Sequence, residues 1–441
     1  MCLALAGAVL SPSPLPIIVS ALALVAIVLL LWRRTEPPIL LLPPLFQWSE
    51  VSMPAISTMW LGVPLNDLAD RAPELETATY YGLAAGVMLS IGFRLALDFG
   101  KRRFRLRGLL AEAQALPFTA VASAAFGLMI AGYVFATASV FAGPARELFN
   151  SIAALKSAGL FILAYWCLAR RQNLPILAAV VGADVLYGMT GFFADFKNSI
   201  LTLLIAAIIA RPRLGRGSVM AAGAAAGLIL LVAIFWSAVK TDYRVMVNQG
   251  SGAQVILVPL EERADYILKA MGEFGPDDLS RGFNALVARH GYVEYLAQTM
   301  SYIPASAPHE NGAITLSAIR HITQPRIFFP NKPPLPSDTE VMARYTGQQN
   351  VWDANTSISI GHVGEIYVDF GFWGGLVAMM MLGGLIGFFV RTIADAQRTP
   401  DLLKAGLCIV AILPLAYFGN AYVKLIGTTT FCAIITFGLL R

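Results

Sequence analysis

Apolar residues fall in eleven long blocks along this chain, and a chain built that way has little choice but to cross a bilayer. The blocks cover residues 14–32, 38–62, 77–97, 116–141, 151–169, 174–193, 197–210, 219–239, 363–390, 402–419 and 422–440. Of the 441 residues, 57% are hydrophobic and only 13% charged, about half the charged share of an ordinary soluble domain. The pattern predicts an all-α polytopic membrane protein with about eleven transmembrane helices. The seventh block is short, which predicts a tilted span or one that begins earlier.

Charge sets the orientation. With the N-terminus outside, the inner loops contain Arg33 and Arg34, the run Lys101 to Arg107, Arg170 and Arg171, then Arg211, Arg213 and Arg216, then Arg391 and Arg398, with Arg441 at the inner C-terminus. The outer loop 63–76 holds Asp67, Asp70, Glu74 and Glu76 against Arg71. Every short loop obeys the positive-inside rule. No positive residue precedes the first block, which therefore reads as a span and not as a cleavable signal. The net charge of +5 reflects these loops and implies no nucleic-acid partner. Cys2, Cys167, Cys408 and Cys432 make no CxxC pair, so neither a disulfide nor a zinc site is expected.

Three segments follow: a membrane bundle over 1–239, an outer loop over 240–361, and a second bundle over 362–441. The loop is too long to be structureless. Helices are predicted from Pro259 (with Leu260, Ala264, Ile267, Leu268 and Met271 on one face), from Leu279 to Met300, and from Ala313 to Ile322. Ser337-Asp338-Thr339-Glu340 reads as a capping box opening a fourth, and the proline-rich stretch 325–336 between the last two reads as extended.

Chemistry gathers on the outer side. All four histidines, His290, His309, His321 and His362, fall there. His362 and Glu365 share a helical face at the mouth of the ninth block, with Asp369 four residues on; such groups serve equally as an acid/base pair or as structural caps. Lys156, Lys197, Lys240 and Lys424 sit alone at the outer ends of spans, against the positive-inside bias, and Arg244 follows Lys240 by one turn. Isolated charges near a bilayer are functional candidates or snorkelling side chains. Together they would suit an anionic lipid phosphate or pyrophosphate. The loop adds Arg320, Arg326, Lys332 and Arg344, interleaved with aromatics and proline; that composition suits sugar faces and phosphates, or a loop lying on lipid headgroups. Asp184 and Glu50 are intramembrane acids without a traceable relay. No phosphate-binding Gly-rich loop, Asp-x-Asp, HExxH or GxSxG pattern occurs. Asp277 and Asp278 are adjacent and point to different helix faces, so no metal site is expected.

The stretches Pro325-Arg326-Ile327-Phe328-Phe329-Pro330-Asn331-Lys332-Pro333 and Gly361-His362-Val363-Gly364-Glu365-Ile366-Tyr367-Val368-Asp369-Phe370-Gly371-Phe372-Trp373-Gly374-Gly375 resemble the oligosaccharide repeat-unit polymerases, Wzy-type enzymes of O-antigen and exopolysaccharide synthesis related to the O-antigen ligases. Trp236 to Arg244 and Phe193-Ala194-Asp195-Phe196-Lys197 share the likeness, with Lys197 where many relatives carry arginine, which weakens a bidentate phosphate grip there. The resemblance implies a GT-C-like, inverting, metal-independent membrane glycosyltransferase of the bacterial inner membrane that needs no cofactor. It implies undecaprenyl-pyrophosphate-linked oligosaccharide as substrate and a chain-length regulator as a partner. It implies Lys197, Lys240, Arg244, Arg320, Arg326 and Lys332 as pyrophosphate or substrate contacts, and Glu365 or His362 as the base. A ligase acting on lipid A core shares the donor; a lipid-linked oligosaccharide flippase is the alternative from another class.

Overall fold

A computed structural model describes residues 11–440 apart from 70–71, 100–104, 193–195, 211–215, 253–254, 325, 327, 334, 349–357 and 397–398, and apart from the side chains of 216–219, 221–222, 225 and 288–290. The motif residues Phe193, Ala194 and Asp195, the basic residues Lys101, Arg102, Arg103, Arg211, Arg213, Arg398 and Arg441, and Pro325 and Ile327 lie outside the described residues, as does the side chain of His290.

In chain order the helices are α1 (Pro14–Leu31), α2 (Leu42–Leu61), α3 (Leu75–Asp98), α4 (Leu106–Ala115), α5 (Phe118–Ser139), α6 (Arg146–Ala153), α7 (Leu155–Arg170), α8 (Leu174–Met189), α9 (Phe196–Ala210), α10 (Arg216–Val247), α11 (Leu260–Gly272), α12 (Pro276–His290), α13 (Val293–Tyr302), α14 (Ala313–Thr323), α15 (Asp338–Thr346), α16 (Gly361–Asp395), α17 (Asp401–Ile412) and α18 (Tyr422–Leu439). No strand occurs among the described residues. Proline in the first turn starts α1, α2 and α8, and the left-handed Gly62 (φ 67°) stops α2, the usual division of labour between the two residues.

Among the described residues seven helical stretches are long and apolar enough to cross a bilayer: Pro14–Leu31, Leu75–Asp98, Phe118–Ser139, Gly143–Arg170, Ala226–Val247, Gly361–Asp395 and Tyr422–Leu439. The chain is thus an all-helical membrane protein. The remaining four predicted blocks are helical too, but α8, α9 and α17 are short, and α2 carries Gln47, Glu50 and an internal Pro54. α10 runs unbroken past residue 240 to Val247, so Lys240 and Arg244 ride on a helix. The helix predicted from Leu279 to Met300 is two, α12 and α13, interrupted around Gly291, because glycine there supplies no side chain to hold the turn. Of the apolar face predicted on α11, only Ile267 is buried.

The helices divide into two compact units. The first holds Met1–Leu163, Gly291–Val351 and Ile358–Arg441. Its core is the pairing of α3 with α16, and glycine makes that approach possible: a Cβ on Gly92 would overlap the Met380 carbonyl, and one on Gly383 the Leu89 carbonyl. Small residues at such crossings let two spans reach backbone contact, where dispersion replaces a missing hydrophobic drive. The second unit consists mainly of Ala164–His290. Met189, Phe196, Phe235, Trp236, Tyr243, Val247, Val258 and Ile267 form its core, with Trp236 edge-on to both Phe196 and Tyr243.

Candidate functional site

In the first unit the chemistry centres on the opening third of α16. Gly361 holds φ at 75°, and a Cβ there would overlap the Phe418 carbonyl, so only glycine can start the helix this close to the chain behind it. From that start His362, Glu365 and Asp369 project as one stripe at helical spacing. All three are buried. Ten residues in, Gly371 breaks the helix with φ 70° and ψ −168°.

Each member of the stripe meets a different neighbour. His362 Nε2 lies 3.3 Å from Gln47 Nε2, whose amide also donates to the Leu415 carbonyl at 2.7 Å. Asp369 is fully engaged: Oδ1 accepts from the Gly312 and Ile314 amides (2.8 and 3.1 Å), and Oδ2 from the Thr315 amide and hydroxyl (2.8 and 2.6 Å). It caps the N-terminus of α14 from another helix, where a carboxylate also complements the helix dipole. Of the two roles open to these residues in the sequence, Asp369 fills the structural one.

Glu365 lies between them. Its carboxylate accepts from the Tyr422 amide and sits in the field of Asp338, Lys424 and Asp369. Lys424 is not isolated: its Nζ lies 2.7 Å from both carboxylate oxygens of Asp338. Asp338 is held there because Ser337 and Glu340 close the capping box of α15. The result is a buried carboxylate behind an ion pair whose lysine side chain is 54% exposed.

The loop is clasped to this part of α16. Tyr367 Oη donates to the Ile303 carbonyl at 3.1 Å and the Glu310 amide to the Val368 carbonyl at 3.0 Å. His309 Nδ1 lies 3.2 Å from the Val368 carbonyl; a carbonyl only accepts, so this nitrogen carries the proton.

The predicted loop cations separate. Lys332 Nζ donates to the His321 and Gln324 carbonyls, capping the C-terminus of α14. Two of its three ammonium donors are engaged there. Burial, with Lys332 and Arg326 nearby, holds the His321 imidazole below its ordinary range. Arg320 and Arg326 are solvent-exposed.

In the second unit Arg244 donates to the Phe192 carbonyl (3.3 Å) and stacks 4.8 Å over the Phe192 ring. Lys197 is exposed and Lys240 half-buried. The Thr190 carbonyl, at the end of α8, receives both Tyr243 Oη and Arg263 Nη1 at 2.6 Å. Arg263 was not singled out in the sequence, where 73 residues separate it from Thr190 and only amphipathic spacing marks its helix. Asp184 is buried and accepts from Ser199 Oγ. Among the described residues no three His, Cys, Asp or Glu side chains group closely enough to hold a metal ion.

These features define a helical membrane protein with a buried carboxylate where a helical loop meets its spans. Comparison with family models, with curated proteins and with solved structures finds no match.

Proposed function

We propose that this chain is an inverting membrane glycosyltransferase that polymerises undecaprenyl-pyrophosphate-linked oligosaccharide repeat units at the periplasmic face of the bacterial inner membrane. Glu365 is the base. Its carboxylate takes the proton of an acceptor sugar hydroxyl as that oxygen attacks the anomeric carbon of the donor. The bond from that carbon to the pyrophosphate oxygen breaks, the electron pair leaves with undecaprenyl pyrophosphate, and the configuration inverts. Arg320 and Arg326 meet the leaving charge in the same unit, and no metal is needed. Lys197, Lys240 and Arg244 are the candidate lipid-pyrophosphate contacts of the second unit. Eleven spans in a GT-C-like arrangement put the N-terminus in the periplasm and the C-terminus in the cytoplasm, and a chain-length regulator is the expected partner.

The observation carrying this reading is Glu365 itself: a buried carboxylate without a salt bridge of its own among the described residues, behind the Lys424–Asp338 pair, whose lysine is exposed and which a substrate would displace. The test is polymer formation by the purified protein on lipid-linked repeat units. Glu365→Gln keeps the shape and removes the base, so it should abolish polymer, while His362→Ala does less harm. Normal polymer from Glu365→Gln, or wild-type activity stopped by EDTA and restored by magnesium or manganese, overturns the mechanism. A periplasmic reporter active at the C-terminus overturns the topology.

A further inference from the structure

We propose that α14 and the Phe328–Phe329 turn lie in the bilayer interface at the Gly361 end of α16, with Leu316, Ile319 and Phe328 among acyl chains and Arg320 and Arg326 on phospholipid phosphates. The seating of the apolar side chains does not depend on the glycosyltransferase reading; Arg320 and Arg326, given to the leaving pyrophosphate in that reading, hold bilayer phosphate when no donor is bound.

The placement of α14 is fixed at both ends. Asp369 holds its N-terminus, and a Cβ on Gly312 would lie 3.7 Å from the Phe370 ring. Near its C-terminus, Ile322 reaches within 3.9 Å of where a Cβ on Gly427 would sit. These contacts fall inside two spanning helices. Phe370 is roughly 13 Å along α16 from its start and Gly427 roughly 8 Å along α18, at 1.5 Å per residue. α14 therefore runs alongside the spans and is not perched above their tips.

Its outward face is apolar. Only Ala318 is buried, while Leu316 is 67% exposed and Ile319 half exposed, one turn apart. Scattered surface leucines mean little, but this pair continues a longer surface. On α16 the exposed residues Trp373, Val377, Met381, Leu385 and Phe388 recur at helical spacing as a face turned outward from the bundle, and Phe370, next to α14, joins the two. The turn after α14 adds Phe328, 76% exposed, and Phe329. Lys332 ties that turn to the helix end, so the aromatic pair is held at the depth α14 sets.

The flanking charge is complementary to a lipid surface. Arg320 and Arg326 are exposed beside these apolar side chains. A helix with an apolar outer face and guanidinium groups at its rim binds in the interface plane, through buried area and attraction to anionic headgroups, and guanidinium can grip phosphate oxygens in two places.

The experiment uses the full chain with its four cysteines replaced, reconstituted in nanodiscs of phosphatidylethanolamine and phosphatidylglycerol. A nitroxide is attached at Leu316→Cys, Ile319→Cys or Phe328→Cys, with Glu340→Cys on α15 as the aqueous reference. At the first three sites collision with oxygen should exceed collision with a water-soluble nickel chelate, the reverse of Glu340. Arg320→Gln with Arg326→Gln should move the Phe328 label toward water, as should replacing phosphatidylglycerol with phosphatidylcholine. Nickel accessibility like that of Glu340 at all three sites overturns the proposal. So does protection from both quenchers with dipolar broadening between labels, the signature of a second copy covering the face. A Phe328 depth indifferent to both arginines and lipid charge overturns the phosphate contacts.

Discussion

Residues 361–370 and 372–395 belong to one helix broken at Gly371, and they keep different company. The first part is buried around a stripe of three ionisable side chains and is clasped by loop backbone. The second is apolar from Phe372 to Val390, touches α3 through glycine, and turns Trp373, Val377 and Met381 outward. Polar groups are expensive in hydrocarbon unless their hydrogen bonds are met, so the part that carries them needs a protein lid. The part without them needs only close packing. The loop is that lid: its hydrogen bonds to this helix described above fall on Tyr367, Val368 and Asp369, just before the glycine break.

The largest effect should separate the two parts by function. Glu365→Gln is expected to lower the polymerisation rate by about 10²–10⁴-fold, the usual worth of a general base, with thermal unfolding in detergent little changed. The same assay on Met381→Ala, in the lipid-facing stripe, should give wild-type polymer. Equal losses in both would erase the functional contrast.

Packing is the next lever. Gly383→Leu forces a side chain onto the Leu89 carbonyl and should cost about 1–3 kcal/mol or more through overpacking, seen as a lower unfolding midpoint. Gly384→Ala meets nothing within 4 Å and should be neutral or stabilising by about 0.5–1 kcal/mol. A stable Gly383→Leu protein would show that the α3–α16 approach is not needed.

Removing the lid's anchor should be milder. Asp369→Ala loses four hydrogen bonds at the start of α14; a lost N-cap costs about 1–2 kcal/mol. Hydrogen exchange should rise first at the 312–315 amides and leave those of 380–390 unchanged. Lys332→Met removes a C-cap worth about 1 kcal/mol or less, with polymer formation retained; loss of polymer without loss of stability would return Lys332 to the substrate site.

The smallest effect is a titration. His321 should protonate below the ordinary histidine value of about 6.5, because it is half-buried beside Lys332 and Arg326. Its contribution to stability is full above about pH 6.5 and is lost as the pH falls from there through the depressed folded-state value. Arg326→Ala should move the imidazole midpoint upward in an NMR titration. A midpoint that ignores Arg326 would place the two farther apart than the structure does.

Local composition settled a good deal. The eleven apolar blocks are helical among the described residues, and seven helical stretches are long and apolar enough to cross a bilayer; a span must satisfy its own backbone, so a long run of apolar residues marks such a helix without reference to anything else. The capping box at Ser337 was equally legible, since its partners are three residues apart. The stripe His362, Glu365, Asp369 could be read from helical spacing alone. Which member is a cap and which stands beside a cation could not, because the deciding partners, Gln47, Thr315, Tyr422 and the Asp338–Lys424 pair, lie between 27 and 315 residues from the member each one meets and arrive only through packing. The same holds for Lys332, a loop cation by composition and a helix cap by position. It holds for Gly92 and Gly383 as well, two among many glycines until α3 and α16 are set against each other. Periodicity is a property of one segment and survives in the sequence; a site is a meeting of several segments, and only the tertiary structure chooses who meets.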